Sequence, residues 1–467
     1  MGKQPYEIAA EVRPTERQML WQETEFNALI CFGMNTFTGV DWGDGFAVPG
    51  SFWPEDFSAG EWAEHVKAAG MSGLILTCKH HDGFCLWPTE YTDYSVKSAK
   101  NWMNGEGDIV RDVSAACRKY GLKFGIYLSP WDVHEPSYGT GEPYNEFFRG
   151  QLHELLTNYG DVFCVWLDGV YGEGVNGKTQ EFDFESYYAL IRELQPHAAI
   201  AACGPDVRWC GNERGVLRRE EWSVVPKYLV AGSGAKKPEK KAKAVTDLDL
   251  GSRKAIKNEA EFIWYPCEVN VSMRPRWFFH KDDNYSVKSK DKLWKLYCNT
   301  VGANSNLLLG IAPDKRGRLY EIDSQVLHAF GKYLDMIFAY DLAAEKGSVS
   351  ASSQLSELYA PGNVLNEKQD SFWRPAAGDK KPEIIIELEE EDLFDKLVIR
   401  EHIRNGQHVE EFEVFCENGK GKWKSVYQSN VIGSKRICPL KPTKVKRVKI
   451  VFLKFRSFIE ISKVSLY

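Results

Sequence analysis

The sequence predicts a (β/α)8 barrel over residues 1–340, followed by an antiparallel β-sandwich over 341–467. Three observations carry that expectation. Short apolar runs alternate with amphipathic segments through roughly the first 340 residues, and strands buried on both faces that alternate with helices form parallel sheets. Eight such runs suit a closed barrel. After Tyr340 the runs become short and rich in β-branched and aromatic residues, with turn residues and no helical period between them. That is the texture of a sandwich.

In chain order, barrel strands are expected at 28–34, 73–79, 123–129, 161–168, 198–204, 221–226, 262–270 and 305–312, with helices at 58–69, 108–120, 144–159, 185–194 and 290–301. Asp108 suits an N-cap, and Gly70, Gly121 and Gly160 stand where helices stop. The sixth and seventh expected strands are joined by a long loop with a basic run at 235–243. Such a run reads as a solvated excursion or as a patch that docks an anion. Sandwich strands are expected at 383–388, 396–403, 409–416, 423–428, 445–452 and 459–465, with the boundary between Phe338 and Ser348.

A length of 467 residues suggests two or three domains. The balance of 65 acidic to 59 basic residues, net −6, argues against a nucleic-acid partner. The eleven cysteines are scattered without a CxxC pair, so they read as reduced, small hydrophobes. No metal site and no cofactor is implied. No run of about twenty apolar residues is present to span a membrane. The opening Met1-Gly-Lys-Gln-Pro-Tyr lacks the apolar core of a signal peptide, and oligomeric state is not legible in the sequence.

Trp166-Leu-Asp168-Gly169 closes the fourth run with an acidic residue. A parallel barrel places its catalytic groups at such a carboxyl edge, although an aspartate there also suits a turn cap. His80 and His81 end the second run; Tyr127, Ser129, Trp131 and Asp132 end the third; Gly204-Pro-Asp-Val-Arg-Trp-Cys-Gly-Asn-Glu213 follows the fifth. Polar and aromatic residues thus converge on one rim, which core packing does not require. Glycoside hydrolysis needs two carboxyl groups, about 5–5.5 Å apart in retaining enzymes. Asp168 is the rigidly placed candidate nucleophile. Glu213 is the candidate acid/base, with Trp209 beside it to desolvate the carboxyl. Glu268 and Asp206 are its rivals.

The runs Phe32-Gly-Met-Asn-Thr-Phe-Thr, Lys79-His-His-Asp-Gly-Phe-Cys-Leu-Trp, Trp166-Leu-Asp-Gly, Pro205-Asp-Val-Arg-Trp-Cys-Gly-Asn-Glu, Trp264-Tyr-Pro-Cys-Glu-Val-Asn-Val-Ser-Met-Arg-Pro-Arg-Trp-Phe and Asn306-Leu-Leu-Leu-Gly-Ile-Ala-Pro-Asp resemble the α-L-fucosidases of glycoside hydrolase family 29. The first and fourth are similar to the subgroup that prefers α-1,3/1,4-fucosyl branches. The resemblance implies a retaining exo-α-L-fucosidase acting on fucosylated oligosaccharides or glycoconjugates by double displacement. Asp168 would be its nucleophile and Glu213 its acid/base, with His80 and His81 on the fucose hydroxyls. Trp42, Trp87, Tyr127, Trp222 and Trp277 would surround the sugar and its methyl group. It also implies an exported enzyme, periplasmic or extracellular.

Where family members read Phe-Ile-His-Phe-Gly, this chain reads Leu29-Ile-Cys31-Phe-Gly. A thiol is a poor donor. Cys31 therefore opens two alternatives, the same mechanism on a related sugar such as α-L-galactose, or a weakly active fucose-binding protein. The C-terminal segment resembles discoidin-like (F5/8 type C) modules around Ser371-Phe-Trp-Arg-Pro, and reads as a sugar-binding module or as a buttress. Trp373 suits core or interface better than a stacking platform.

Overall fold

The computed structural model describes residues 2–218, 220–230, 242–366, 368, 370–418 and 420–467. The basic run as far as residue 241 lies outside them. Eight strands form one parallel sheet: β1 Phe26–Ile30, β2 Gly73–Lys79, β3 Lys123–Leu128, β4 Cys164–Leu167, β5 Ala199–Ala202, β6 Arg208–Trp209, β9 Cys267–Ser272 and β10 Ser305–Ile311, in the order β5-β4-β3-β2-β1-β10-β9-β6. The two ends of that order meet where the backbone N–H groups of Asp206 and Val207 both donate to the Ile200 carbonyl. The sheet thereby closes into a TIM-like barrel.

The period-two alternation of each strand sorts its side chains between two cores. Leu29, Cys31, Ile75, Tyr127, Cys164, Trp166, Ala199, Ala201 and Leu308 pack inside the barrel. Ile30, Leu74, Leu76, Ile126, Val165, Leu167 and Leu309 face the surrounding helices. Two of those helices show how the sequence sets their ends. Ser58 caps Ala59–Ala68 by accepting from Glu61 N at 3.2 Å. Asp108 caps Ile109–Tyr120 by accepting from Arg111 N at 2.9 Å, and that helix ends at Gly121 with φ 66°.

Two strand expectations need correction. The run at 221–226 is not a barrel strand. β7 (Val224–Pro226) pairs antiparallel with β8 (Phe262–Trp264) as a separate two-stranded ribbon. The sixth barrel strand is instead the two-residue β6, held parallel to β9. The expected strand at 262–270 is two elements, because Pro266 has no N–H with which to continue a ladder.

The C-terminal module is an antiparallel six-stranded sheet of β11 Gly347–Ala351, β12 Glu383–Glu401, β13 Val409–Glu417, β14 Trp423–Ser429, β15 Arg436–Phe455 and β16 Ile461–Leu466. Register breaks between Glu387 and Asp392 and between Phe394 and Lys396 divide the long β12–β15 pair. One part carries β11, β13 and β14 and the other carries β16. Both parts supply side chains to a single apolar core that includes the fully buried Trp373. Among the described residues no helix is long and apolar enough to cross a membrane.

Candidate active site

A cavity of about 350 Å³ opens at the carboxyl ends of the barrel strands. Asp168, one residue past β4, presents its carboxylate there. Tyr127 Oη donates to Oδ2 at 2.7 Å and the Val170 N–H to Oδ1 at 2.8 Å, so both oxygens are held. Glu213, on the loop after β6, lines the same cavity and accepts from Trp277 Nε1 at 3.1 Å. Trp277 in turn packs against β10 where Gly310 has no side chain; a Cβ there would fall 2.5 Å from the indole ring. Glu213 is exposed, and Trp209 lines the cavity with it.

The two histidines occupy one wall with complementary hydrogen-bonding roles. Asn35 donates through Nδ2 to the Asp41 carbonyl and to His80 Nδ1, both at 3.1 Å. His80 Nδ1 is therefore an acceptor, which puts the ring proton on Nε2. Ser129 Oγ donates to the Trp131 carbonyl at 2.7 Å, so its oxygen accepts from His81 Nδ1, also at 2.7 Å. Burial lowers the pKa of both imidazoles. For His80 the neighbouring His81 adds to the effect; for His81 the charge of Asp168 opposes it. Neutral His81 then turns its Nε2 lone pair toward Asp168, whose Oδ2 lies 3.9 Å away. One histidine can donate to a hydroxyl group and the other can accept from one.

The floor is the packed barrel interior: Leu29, Cys31 and Trp166. Tyr127 and Trp166 stack with centroids 5.2 Å apart and planes 15° apart. Trp42, more than half exposed, stands edge-on to His81 and Trp131 at the mouth. Phe278 and Asn270 complete the wall. Cys31 is buried, and among the described residues its thiol donates only to the Leu29 carbonyl of its own strand, at 3.8 Å. At the end of β5, Ala202 adopts left-handed φ of 63°, strain of the kind found at functional sites.

Of the residues expected around a sugar, the cavity gathers Cys31, Trp42, His80, His81, Tyr127, Asp168, Glu213 and Trp277. Trp87 and Trp222 are not among them. Past the His-His-Asp-Gly turn the chain folds back through bridges of Cys85 to Lys79 and Ser95. This carries Trp87 into the core, 1% exposed, with its indole N–H on Glu154. Trp222 is 2% exposed and packs its ring under the Arg456 guanidinium of the C-terminal module, 3.8 Å from the centroid. Asp206 is no rival acid, because Arg17, Arg192 and the Ile200 N–H hold it. Glu268 lies beneath the floor. The expectation placed Ser129 on the rim and Asn35 in a matching run but gave neither a role behind the histidines, and it gave none to Asn270; these are polar positions whose roles depend on cross-strand neighbours.

The sequence profile of the α-L-fucosidase family matches residues 21–337. The chain belongs to that family. Within it, α-L-fucosidase 1 of Arabidopsis thaliana is 39% identical over 97% of this chain and 87% of its own length. A Ruminococcus gnavus family 29 fucosidase, solved in complex with fucose, is 32% identical, with a TM-score of 0.85 over 98% of this chain and 95% of that one. A family 29 member from a rumen bacterium is 33% identical, with a TM-score of 0.79 over 98% of this chain and 77% of that one. The F5/8 type C profile matches 348–463. The mouth of the barrel presents two carboxyl groups, those of Asp168 and Glu213, to one cavity.

Proposed function

We propose that the cavity is the fucose site of a retaining exo-α-L-fucosidase that removes α-1,3/1,4-linked fucose from oligosaccharides or glycoconjugates. The observation that carries the reading is that Asp168 and Glu213 meet at one blind cavity under opposite constraints. Asp168 is fixed by two hydrogen bonds at a strand end, as a nucleophile that must strike one carbon requires. Glu213 is exposed on a loop, where a group that gives up a proton and later takes one from water can exchange it. In the first step Asp168 attacks the anomeric carbon while Glu213 protonates the departing oxygen. In the second, Glu213 takes a proton from water, which displaces Asp168. The His80 N–H and the His81 lone pair supply one donor and one acceptor for sugar hydroxyls. The closed floor supports exo action, since a sugar resting on it can be extended by further residues only toward the mouth. The family relative from Ruminococcus gnavus was solved with fucose bound, including as an aspartate-to-alanine mutant. The linkage reading rests on the Met34-Asn-Thr-Phe and Arg208-Trp-Cys-Gly-Asn-Glu segments.

A panel of α-1,2, α-1,3, α-1,4 and α-1,6 fucosides followed by NMR tests this. The expected result is α-L-fucose as the first anomer, released from the 1,3 and 1,4 linkages, with kcat lower by about 10³-fold or more in Asp168→Asn. Initial β-fucose, or undiminished turnover in that variant, overturns the mechanism. Release from the 1,2 or 1,6 linkages alone overturns the linkage.

A further inference from the structure

We propose that Glu268 is a positioning residue for Asp168, acting through Trp166 and Tyr127. The inference rests on the reading of Asp168 as the nucleophile. Glu268 lies on β9, 1% exposed, with its side chain inside the barrel. Its Oε1 accepts from Trp166 Nε1 at 2.7 Å. The Trp166 ring stacks on Tyr127, and Tyr127 Oη donates to Asp168 Oδ2 at 2.7 Å. An unbroken series of contacts therefore runs from the wall of the barrel to the carboxylate.

Close packing holds the Trp166 indole in one rotamer well. The N–H···O bond to Glu268 sets its tilt within that well and, through the stack, the plane from which the Tyr127 hydroxyl points. Misplacement of a reacting group by about 1 Å costs on the order of 10²-fold in rate.

The chemistry of the position favours this role over simple packing. Among the described residues no cation pairs with Glu268, and its Oε2 has no partner. Burial pushes the carboxyl up to about 7, against the opposing hydrogen bond from Trp166. In its protonated form, which that shift favours, the acid accepts from Trp166 without placing a second anion below Asp168. A carboxyl buried without a cation is costly where an apolar side chain would fill the same space at less expense in free energy. Its presence is explained by the acceptor that it supplies.

Glu268→Gln keeps the carbonyl acceptor, whereas Glu268→Met matches its length and removes it; Glu268→Leu is a second test of removal. Steady-state kinetics on an aryl α-L-fucoside are read beside thermal melting. The expected result is a folded Met or Leu variant whose kcat falls by about 30- to 100-fold with KM within about threefold, and a Gln variant restored to within about threefold of the parent. In the Asp168→Asn background the Glu268→Met change has no further effect on kcat. Parental kcat in folded Glu268→Met, or a loss carried by KM alone, overturns the proposal. So does the failure of both Met and Leu variants to fold while Gln folds, which would make the role structural. Normal turnover in Asp168→Asn would instead defeat the nucleophile reading, so the two failures are distinguishable.

Discussion

Cys31 is the residue at which this chain departs most plainly from its family. Among the described residues its sulfur has only its own strand's carbonyl as a partner. Burial, with Asp41 and Glu213 nearby, pushes the thiol well above its ordinary range, so it stays protonated. It contributes a small apolar wall to the cavity in place of a donor. Fucose and α-L-galactose differ by one hydroxyl, and a buried hydroxyl without a good partner costs about 1–3 kcal/mol. We expect kcat/KM on an aryl α-L-fucoside to exceed that on the corresponding α-L-galactoside by about tenfold or more, and Cys31→Ala to leave the fucoside value within about threefold. Equal rates on the two glycosides would favour the galactoside reading. Much of the site was legible residue by residue, because an acidic or histidine side chain at the end of an apolar run is unusual enough to notice. Trp87 and Trp222 were not, since aromatic rings serve cores and sugar sites alike and only the path of the chain decides between them.

Among the elements, seven of the eight barrel strands announce themselves as apolar runs, while β6, Arg208–Trp209, is too short to do so. The β-branched run at 221–226 took its place in the expectation, and it is extended, but in a ribbon outside the barrel. What makes so short a strand possible is Asp206, 4% exposed. Its Oδ2 accepts from the Ile200 N–H at 2.8 Å and from Arg192, and its Oδ1 from Arg17 Nε at 3.3 Å. Its carbonyl accepts from Gln18. The carboxylate pins β5 to β6 exactly where the sheet order has its two ends, just upstream of Trp209 and Glu213. Removing one partner of a buried ion pair costs about 3–5 kcal/mol. Asp206→Ala should therefore lower the stability of the barrel by about that much, and in urea its activity should vanish before its tryptophan fluorescence changes. A parental urea midpoint with activity and fluorescence lost together would show that the seam closes without this strut.

On the scale of the whole molecule, none of the described side chains lining the cavity comes from the C-terminal module. That module instead joins the barrel on the side where β1 and β10 begin. Arg400 and Lys435 both hold Glu25, at 2.5 and 2.7 Å. Asn304 Oδ1 accepts from Ser434 N at 2.8 Å, and Gln407 accepts from Ser223 N at 2.8 Å. The architecture of the module was legible from its β-rich texture, but its attachment was not, because Glu25 is 375 residues from Arg400 in the chain. This geometry supports a buttress that stiffens the base beneath β1 and β10. Burial alone would raise the Glu25 carboxyl, but the Arg400 and Lys435 charges outweigh it and hold the pKa at about 2, below the ordinary 4.5. A folded-state value below the unfolded one gives stability that is complete above about pH 4.5 and fades as pH falls toward 2. The size of the shift corresponds to roughly 3 kcal/mol. Glu25→Gln should therefore be less stable than the parent by about that amount at pH 7 in urea unfolding, with the gap narrowed to about half near pH 3.5. Catalysis by the folded variant should be unchanged, since Glu25 is remote from the cavity. A stability gap that stayed constant from pH 7 to 3.5 would show that the two arginine and lysine charges do not act on this carboxylate, and that the modules are joined by packing and neutral hydrogen bonds instead.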